Sequence, residues 1–317
     1  MNPKLLITRK IFPEVVDALS QAFALDYNAD DAEWSQDELA ARIAGCQALL
    51  CAASDRIDSA LLSAAPDLKI VATGSVGYNH VDVAHCRARG ILVANTPDVL
   101  TAATADMAWT LLMAAGRRVS ESERWLRAGD WRRWAFDQFL GADYEGTTLG
   151  IVGMGRIGSA VARRSRGFGM KVVYTNRSAA PNEAELGATR LPLDELLATA
   201  DHVVLVLPYS AQTHHLIGAR ELALMKPTAV LVNIARGGIV DDQALAAALR
   251  AGTLAAAGLD VYEGEPAVAP ALLELSNVVL TPHIGSSTRR TRVGMAMLAA
   301  RNLLAWSRGE PLPTPVA

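Results

Sequence analysis

The sequence predicts an α/β fold built from doubly wound parallel sheets. Three observations carry that reading. Short apolar runs of strand type alternate with amphipathic helical segments, the pattern of a parallel sheet covered on both faces. One such run, residues 147–152, passes straight into Gly153-x-Gly155-x-x-Gly158 and then into a helical segment. The length of 317 residues exceeds one ordinary domain, so two are expected.

Taken in order, residues 5–8 read as the first strand and 13–22 as a helix. Residues 24–27 are a second strand, 36–43 a helix and 48–52 a third strand. A helix over 57–64 follows, with strands at 69–73 and 91–94. Residues 102–118 form a long helical run with Met107, Leu111 and Leu112 on it, placed to carry the chain from one domain into the next. An aromatic group comes next: Trp125, Trp131, Trp134, Phe136 and Phe139. It suits packing between domains or subunits, and one of its rings could close a substrate pocket. Beyond the glycine-rich unit, strands are expected at 171–175, 202–207, 229–234, 256–261 and 277–280. Helices are expected at 242–250 and 288–307, the last placed to return to the first domain.

Composition narrows the function. With 51% hydrophobic and 20% charged residues the chain has material for buried cores and is not disordered. The net charge of -3 comes with no basic stripe, which argues against a nucleic-acid partner. No apolar run reaches membrane-spanning length. Lys4, Arg9 and Lys10 lie inside and just after a short apolar run, which is not a signal-peptide layout. Cys46, Cys51 and Cys86 are odd in number and lack zinc spacing, so reduced buried thiols, a cytoplasmic location and no metal site are expected.

Chemistry enters at the ends of the strands. In the glycine-rich unit Gly153 allows a tight turn, Gly155 lets a pyrophosphate approach the backbone, and Gly158 lets the helix pack close to the strand. The helix start offers N–H groups and a positive dipole end to phosphates. The next strand ends in Asn176-Arg177-Ser178, where a chain gripping the ribose of NAD usually carries Asp or Glu. A 2′-phosphate meets a cation there and no anion, so NADP(H) is expected over NAD(H), with NAD(H) a possible second cofactor. The 69–73 strand ends in Gly74-Ser75-Val76-Gly77-Tyr78-Asn79-His80, whose two glycines suit either an ordinary flexible loop or a backbone nest for a small carboxylate. Arg236, Glu265 and His283 follow three further strands. A guanidinium clamps a carboxylate, an imidazole exchanges a proton near neutral pH, and a carboxylate orients the imidazole.

These motifs together resemble the D-isomer-specific 2-hydroxyacid dehydrogenase family. The strings that carry the resemblance are Gly74-Ser75-Val76-Gly77-Tyr78-Asn79, the glycine-rich unit, Asn233-Ile234-Ala235-Arg236-Gly237-Gly238, Gly258-Leu259-Asp260-Val261 with Glu265-Pro266, and Pro282-His283-Ile284-Gly285. Within the family, Thr175-Asn176-Arg177-Ser178 and Arg308-Gly309-Glu310-Pro311 look most like the glyoxylate/hydroxypyruvate reductases. The departure from the NAD-dependent pattern is Asn176.

The resemblance implies a Rossmann cofactor domain, residues 100–287, inserted in a flavodoxin-like substrate domain made of 1–99 and 288–317. It implies a homodimer through the helices around Ala102 to Arg127, and a small 2-keto or 2-hydroxy acid as substrate. It places Thr104 and Asp260 at the nicotinamide. It also adds Arg156, Ile157, Leu207 and Pro208 to the cofactor site, with Ile234, Ala235, Arg236, His283 and Gly285. The substrate carboxylate is expected on the N–H groups of Val76 and Gly77 and on Arg236. His283, paired with Glu265, is expected to give the carbonyl oxygen its proton. The competing readings are another family member (a 2-ketogluconate reductase, a phosphoglycerate or a phosphonate dehydrogenase) and a nucleotide-sensing corepressor on the same fold.

Overall fold

The computed structural model describes residues 2–316. The chain divides into two compact units: one runs to Leu100 and resumes at Ser287, and the other is Thr101–Ser286.

The first unit holds β1 (Lys4–Ile7), β2 (Ala24–Tyr27), β3 (Ala48–Cys51), β4 (Ile70–Thr73) and β5 (Leu92–Ala94). They form a parallel sheet in the order β2-β1-β3-β4-β5, the flavodoxin-like arrangement. Side chains alternate between faces along each strand. Leu6, Leu49 and Val71 therefore enter one core, and Leu5, Ile7, Leu50, Ile70 and Ala72 enter the other. Helix Arg289–Ser307, capped by the Thr288 side chain, covers the second face with Ala296, Ala299, Ala300 and Leu303. The buried Asn302 amide exchanges hydrogen bonds with Thr314, and Thr314 Oγ1 donates to Asn95 O at 2.6 Å. That relay fixes residues just after β5.

The second unit holds β6 (Thr148–Val152), β7 (Lys171–Thr175), β8 (Ala188–Arg190), β9 (His202–Leu205), β10 (Val230–Asn233), β11 (Ala256–Leu259) and β12 (Val278–Leu280). The order is β12-β11-β10-β9-β6-β7-β8, parallel throughout. Strand order reverses between β6 and β9, and open sheets bind ligands outside the carboxyl ends at such a point. β9 and β10 are buried along their whole length, as a strand covered on both faces must be. Each fully buried Leu or Ile in these two cores contributes about 1.5–3 kcal/mol. Helix Thr101–Gly116 lies close against β11, since a Cβ at Gly258 would sit 2.9 Å from Leu111 Cβ.

Several expectations are corrected. The 102–118 run stops at Gly116, Arg118 turns left-handed at φ 54°, and a separate helix, Val119–Arg127, begins. The 202–207 strand ends at Leu205: Val206 N still donates to Val152 O at 2.9 Å, after which the chain leaves the sheet, so Leu207 and Pro208 lie in the following loop. The 256–261 strand ends at Leu259, freeing Asp260 for side-chain work. β8 and the short helices Val83–Ala88, Leu193–Thr199 and Ala219–Leu224 carry too few residues to show a period and were not expected. Among the described residues, no helix is long and apolar enough to cross a membrane.

Candidate active site

The glycine turn separates into three physical roles. Gly153 adopts φ 105°, and a Cβ there would meet Val206 O at 2.6 Å. A Cβ on Gly158 would lie 2.2 Å from Gly153 O, so helix Arg156–Ser165 reaches the turn only with glycine at that place. A Cβ on Gly155 meets nothing within 4 Å. Nothing inside the protein demands glycine at 155, which fits a backbone kept bare for an incoming phosphate. The first turn of a helix presents N–H groups that the helix itself does not satisfy, and Ile157 sits in that turn. Leu207 packs on the turn, 3.1 Å from the Gly153 Cβ position. Gly158→Ala is expected to destabilise the fold, whereas Gly155→Ala leaves thermal stability within about 0.5 kcal/mol of wild type. Gly155→Ala nonetheless weakens dinucleotide binding; fluorescence titration alongside melting curves checks both, and unchanged affinity would remove the phosphate role.

At the end of β7, Asn176 Oδ1 accepts the Met154 N–H at 2.8 Å, tying this loop to the glycine turn. Arg177 and Ser178 are exposed, and among the described residues Arg177 pairs with no carboxylate. Arg190, which sequence reasoning missed, donates to the carbonyls of Asn176 and Arg177 at 2.8 Å. It holds the loop from β8, a strand too short to be read from the sequence.

Arg236, Glu265 and His283 converge at the carboxyl ends of β10, β11 and β12. The Asn233 side chain clips the loop after β10, donating to Arg236 O at 3.1 Å and accepting the Ala235 N–H at 3.0 Å. Arg236 is half-buried and donates to Ala235 O at 2.8 Å. Burial holds its guanidinium below the ordinary value, against the opposing pull of Glu265. Gly237 packs on the next loop: a Cβ would fall 1.6 Å from Tyr262 O. Glu265 Oε1 accepts the Tyr262 N–H at 2.9 Å, and Oε2 meets His283 Nδ1 at 2.7 Å. For Glu265, burial pushes upward, but hydrogen bonds from His283 and Tyr262 and the charges of His283 and Arg236 outweigh it. The carboxyl sits below its usual range.

His283 is held in the left-handed region at φ 52°, an uncommon state for a residue with a Cβ. Asp260, buried at 2% exposure, fixes this loop. Its carboxylate accepts from Thr281 Oγ1, Ile284 N and Gly285 N, each at 2.7 Å. Thr104 is buried, and its side chain lies 3.6 Å from the Gly285 Cβ position. Ile234 and Ala235 are buried in the loop between β10 and Arg236. Asp260 thus positions the imidazole's loop, whatever else it touches.

In the first unit, the loop after β4 is tied down by its carbonyls. Ser75 O accepts from Thr96 N, Val76 O from Asn95 Nδ2 at 2.8 Å, and Gly77 O from Ser75 Oγ at 2.6 Å. Among the described residues, the N–H groups of Val76 and Gly77 have no protein acceptor. N–H groups left in this way are chemically able to take a small anion. Asn95 was not foreseen as part of it.

The aromatic group splits. Trp125 packs edge-on against Phe139, and Trp134 against Phe136. Trp131, Trp134 and Phe136 stay exposed, Phe136 at 89%. A hollow of about 880 Å³ opens at the other end of the second unit's sheet, lined among others by Leu140, Asp201, His202, Thr228 and Ser276. It lies at the strands' amino ends and includes none of the three convergent residues.

Residues 109–285 match the family model of the D-isomer specific 2-hydroxyacid dehydrogenase NAD binding domain. The chain is 50% identical to a glyoxylate reductase of Thermococcus onnurineus, across 99% of this chain and 96% of that protein. It is 47% identical to a glyoxylate reductase of Korarchaeum cryptofilum, across 99% and 95%. Among solved structures, an NADPH-dependent glyoxylate/hydroxypyruvate reductase from Sinorhizobium meliloti, in complex with NADP and malonate, superposes with a TM-score of 0.90. It shares 38% identity over 100% of this chain and 97% of that one. The chain therefore belongs to the D-isomer-specific 2-hydroxyacid dehydrogenase family, as a nicotinamide-dependent dehydrogenase resembling the glyoxylate reductases.

Proposed function

We propose that this protein reduces a small 2-keto acid, glyoxylate or hydroxypyruvate, to the D-2-hydroxy acid, with NADPH preferred over NADH. The observation that carries the reading is the His283–Glu265 pair at 2.7 Å, beside Arg236, on the same sheet edge as the glycine turn. Relatives named as glyoxylate reductases support the choice of substrate.

The residues present fit a dinucleotide, with Gly155 bare and Arg177 exposed at the end of β7. When bound, the reduced nicotinamide supplies the hydride. The chain's own residues do the rest. Arg236 binds the substrate carboxylate bidentately and polarises the keto oxygen as charge builds on it. Glu265 occupies His283 Nδ1, so the proton leaves from Nε2 toward that oxygen. The N–H groups of Val76 and Gly77, in the first unit, are of the kind that takes a small carboxylate. Thr104 and Asp260 shape the nicotinamide end, and Asn176, Arg177 and Ser178 face the ribose 2′-phosphate.

Cofactor choice rests on Arg177. A charge-assisted hydrogen bond contributes about 1.5–3 kcal/mol, or roughly tenfold to a hundredfold in affinity. Arg177→Ala is expected to lose NADPH preference by that factor while kcat/KM with NADH holds. Equal preference before and after the substitution would sink the assignment. The activity itself is tested by following NADPH oxidation with a panel of 2-keto acids. Glyoxylate and hydroxypyruvate are expected to lead; turnover confined to 2-ketogluconate or to phosphonate oxidation would point to another family member, and none at all to a binding protein.

The assembly proposed is a homodimer in the cytoplasm. The exposed Trp131, Trp134 and Phe136, close in sequence to helix Val119–Arg127, form an apolar surface of the kind that marks interfaces.

A further inference from the structure

Three groups with metal-ligating atoms meet at the carboxyl edge of the second unit's sheet, outside the set assigned to catalysis. His214 and His215 lie in the loop after β9, and Glu263 lies in the loop after β11. One ligand atom from each can be chosen so that all three lie within 4.8 Å of one another. The imidazoles stack, with centroids 3.9 Å apart and an angle of 22° between planes. His215 Nε2 already meets Glu263 Oε2 at 2.9 Å. We propose that His214, His215 and Glu263 form a binding site for a borderline divalent ion of the zinc class.

Donor chemistry selects the ion. Two imidazoles and one carboxylate suit zinc, nickel or copper, and are a poor match for calcium or magnesium, which require mostly oxygen ligands. Zinc bonds of about 2.0–2.2 Å place neighbouring tetrahedral donors roughly 3.4 Å apart. The present atoms lie within 4.8 Å of one another, and His215 Nε2 and Glu263 Oε2 are already 2.9 Å apart. A fourth position would be filled by water.

Outer partners are also in place. Metal-bound imidazoles usually anchor their second nitrogen on a nearby polar group. His214 Nδ1 meets Tyr209 OH at 3.2 Å, and His215 Nδ1 faces the Asp241 carboxylate at 4.0 Å. Each ring then has Nε2 to give to an ion. The backbone is held as well: His215 adopts φ 48°, and its N–H donates to Gly238 O at 2.7 Å. On the other side, the Glu263 N–H donates to Asp242 Oδ2 at 3.1 Å. An ion here would bridge the loop after β9 and the loop after β11, which also carries Glu265. The sequence alone pointed to no metal, because only the strand order brings these two loops together.

The test is calorimetric titration of zinc into chelator-treated protein, above the imidazole titration range, with neither cofactor nor substrate present. The wild type is expected to bind one ion per chain. His214→Ala, His215→Ala and Glu263→Gln are each expected to abolish that binding. Asp241→Asn should weaken it about tenfold. Circular dichroism and melting curves check that the variants are folded, which the exposure of His214 and Glu263 and the half-burial of His215 favour. His283→Ala is expected to keep the site. No binding by the wild type, or binding unchanged in the three ligand variants, overturns the proposal. So does binding lost in His283→Ala and kept in His214→Ala, which would place the ion on the catalytic pair. Because the readout is binding alone, failure here leaves the proposed reductase activity untouched, and the reverse also holds.

Discussion

Replacing His283 with alanine is expected to lower kcat by about 10²–10⁴-fold, the range for losing a positioned proton donor. NADPH affinity should stay near wild type, because the phosphate-binding turn lies after a different strand. The fold should survive as well: the side chain is half-exposed, and its backbone is held by Asp260 through Ile284 and Gly285. Steady-state kinetics with glyoxylate, together with fluorescence titration of NADPH, separate the two effects. A near wild-type kcat would remove His283 from the mechanism. The companion variant Glu265→Gln keeps the shape and loses the charge. Its effect should appear mainly in the pH profile, since Glu265 orients the imidazole and does not itself meet the substrate. The sign follows from the lowered pKa of Glu265. A carboxylate depressed in the folded state contributes stability that is present above its unfolded pKa and is lost as pH falls through the folded one. The pair therefore persists at neutral pH and fails only on the acid side, below the ordinary carboxylate range.

Arg236→Gln is expected to cost about 10²–10⁴-fold in kcat/KM for the keto acid. Two charge-assisted hydrogen bonds to the substrate carboxylate are lost, each contributing about 1.5–3 kcal/mol, and about 1.4 kcal/mol is tenfold. Both parameters should suffer: KM rises with the lost carboxylate contact, and kcat falls with the lost polarisation of the keto oxygen. The substitution also removes one of the charges that hold Glu265 down, so the acid limb of the profile should move to higher pH. A variant whose KM alone changes would confine Arg236 to binding.

Legibility in the sequence followed the physics of each element. Buried parallel strands announce themselves as apolar runs, so β1, β3, β4, β6, β7 and β10 stood out, together with the glycine turn between β6 and its helix. Arg236, Glu265 and His283 were readable because each sits just past such a run, where a polar residue is conspicuous. Strand ends were less visible: β9 stops at Leu205 although the apolar run continues to Leu207, because where the chain leaves the sheet is set by packing between segments far apart in sequence. The same holds for the supports of the site. Arg190 rides on a three-residue strand, and Asn95 works through Thr314 and Asn302, more than two hundred residues away. Asp260 reads as a ligand contact from its string, yet its three hydrogen bonds bind it first to the His283 loop. His214, His215 and Glu263 meet only because β9 and β11 flank β10.

The most direct measurement is a crystal structure of the protein with NADPH and a non-reacting dicarboxylate such as malonate. The account predicts the pyrophosphate on Gly155 and the 2′-phosphate on Arg177. It predicts the ligand carboxylate on Arg236, and His283 Nε2 and the nicotinamide carbon each about 3–3.5 Å from the atoms they would serve. A nicotinamide ring lying away from His283, with the acid bound elsewhere, would contradict it.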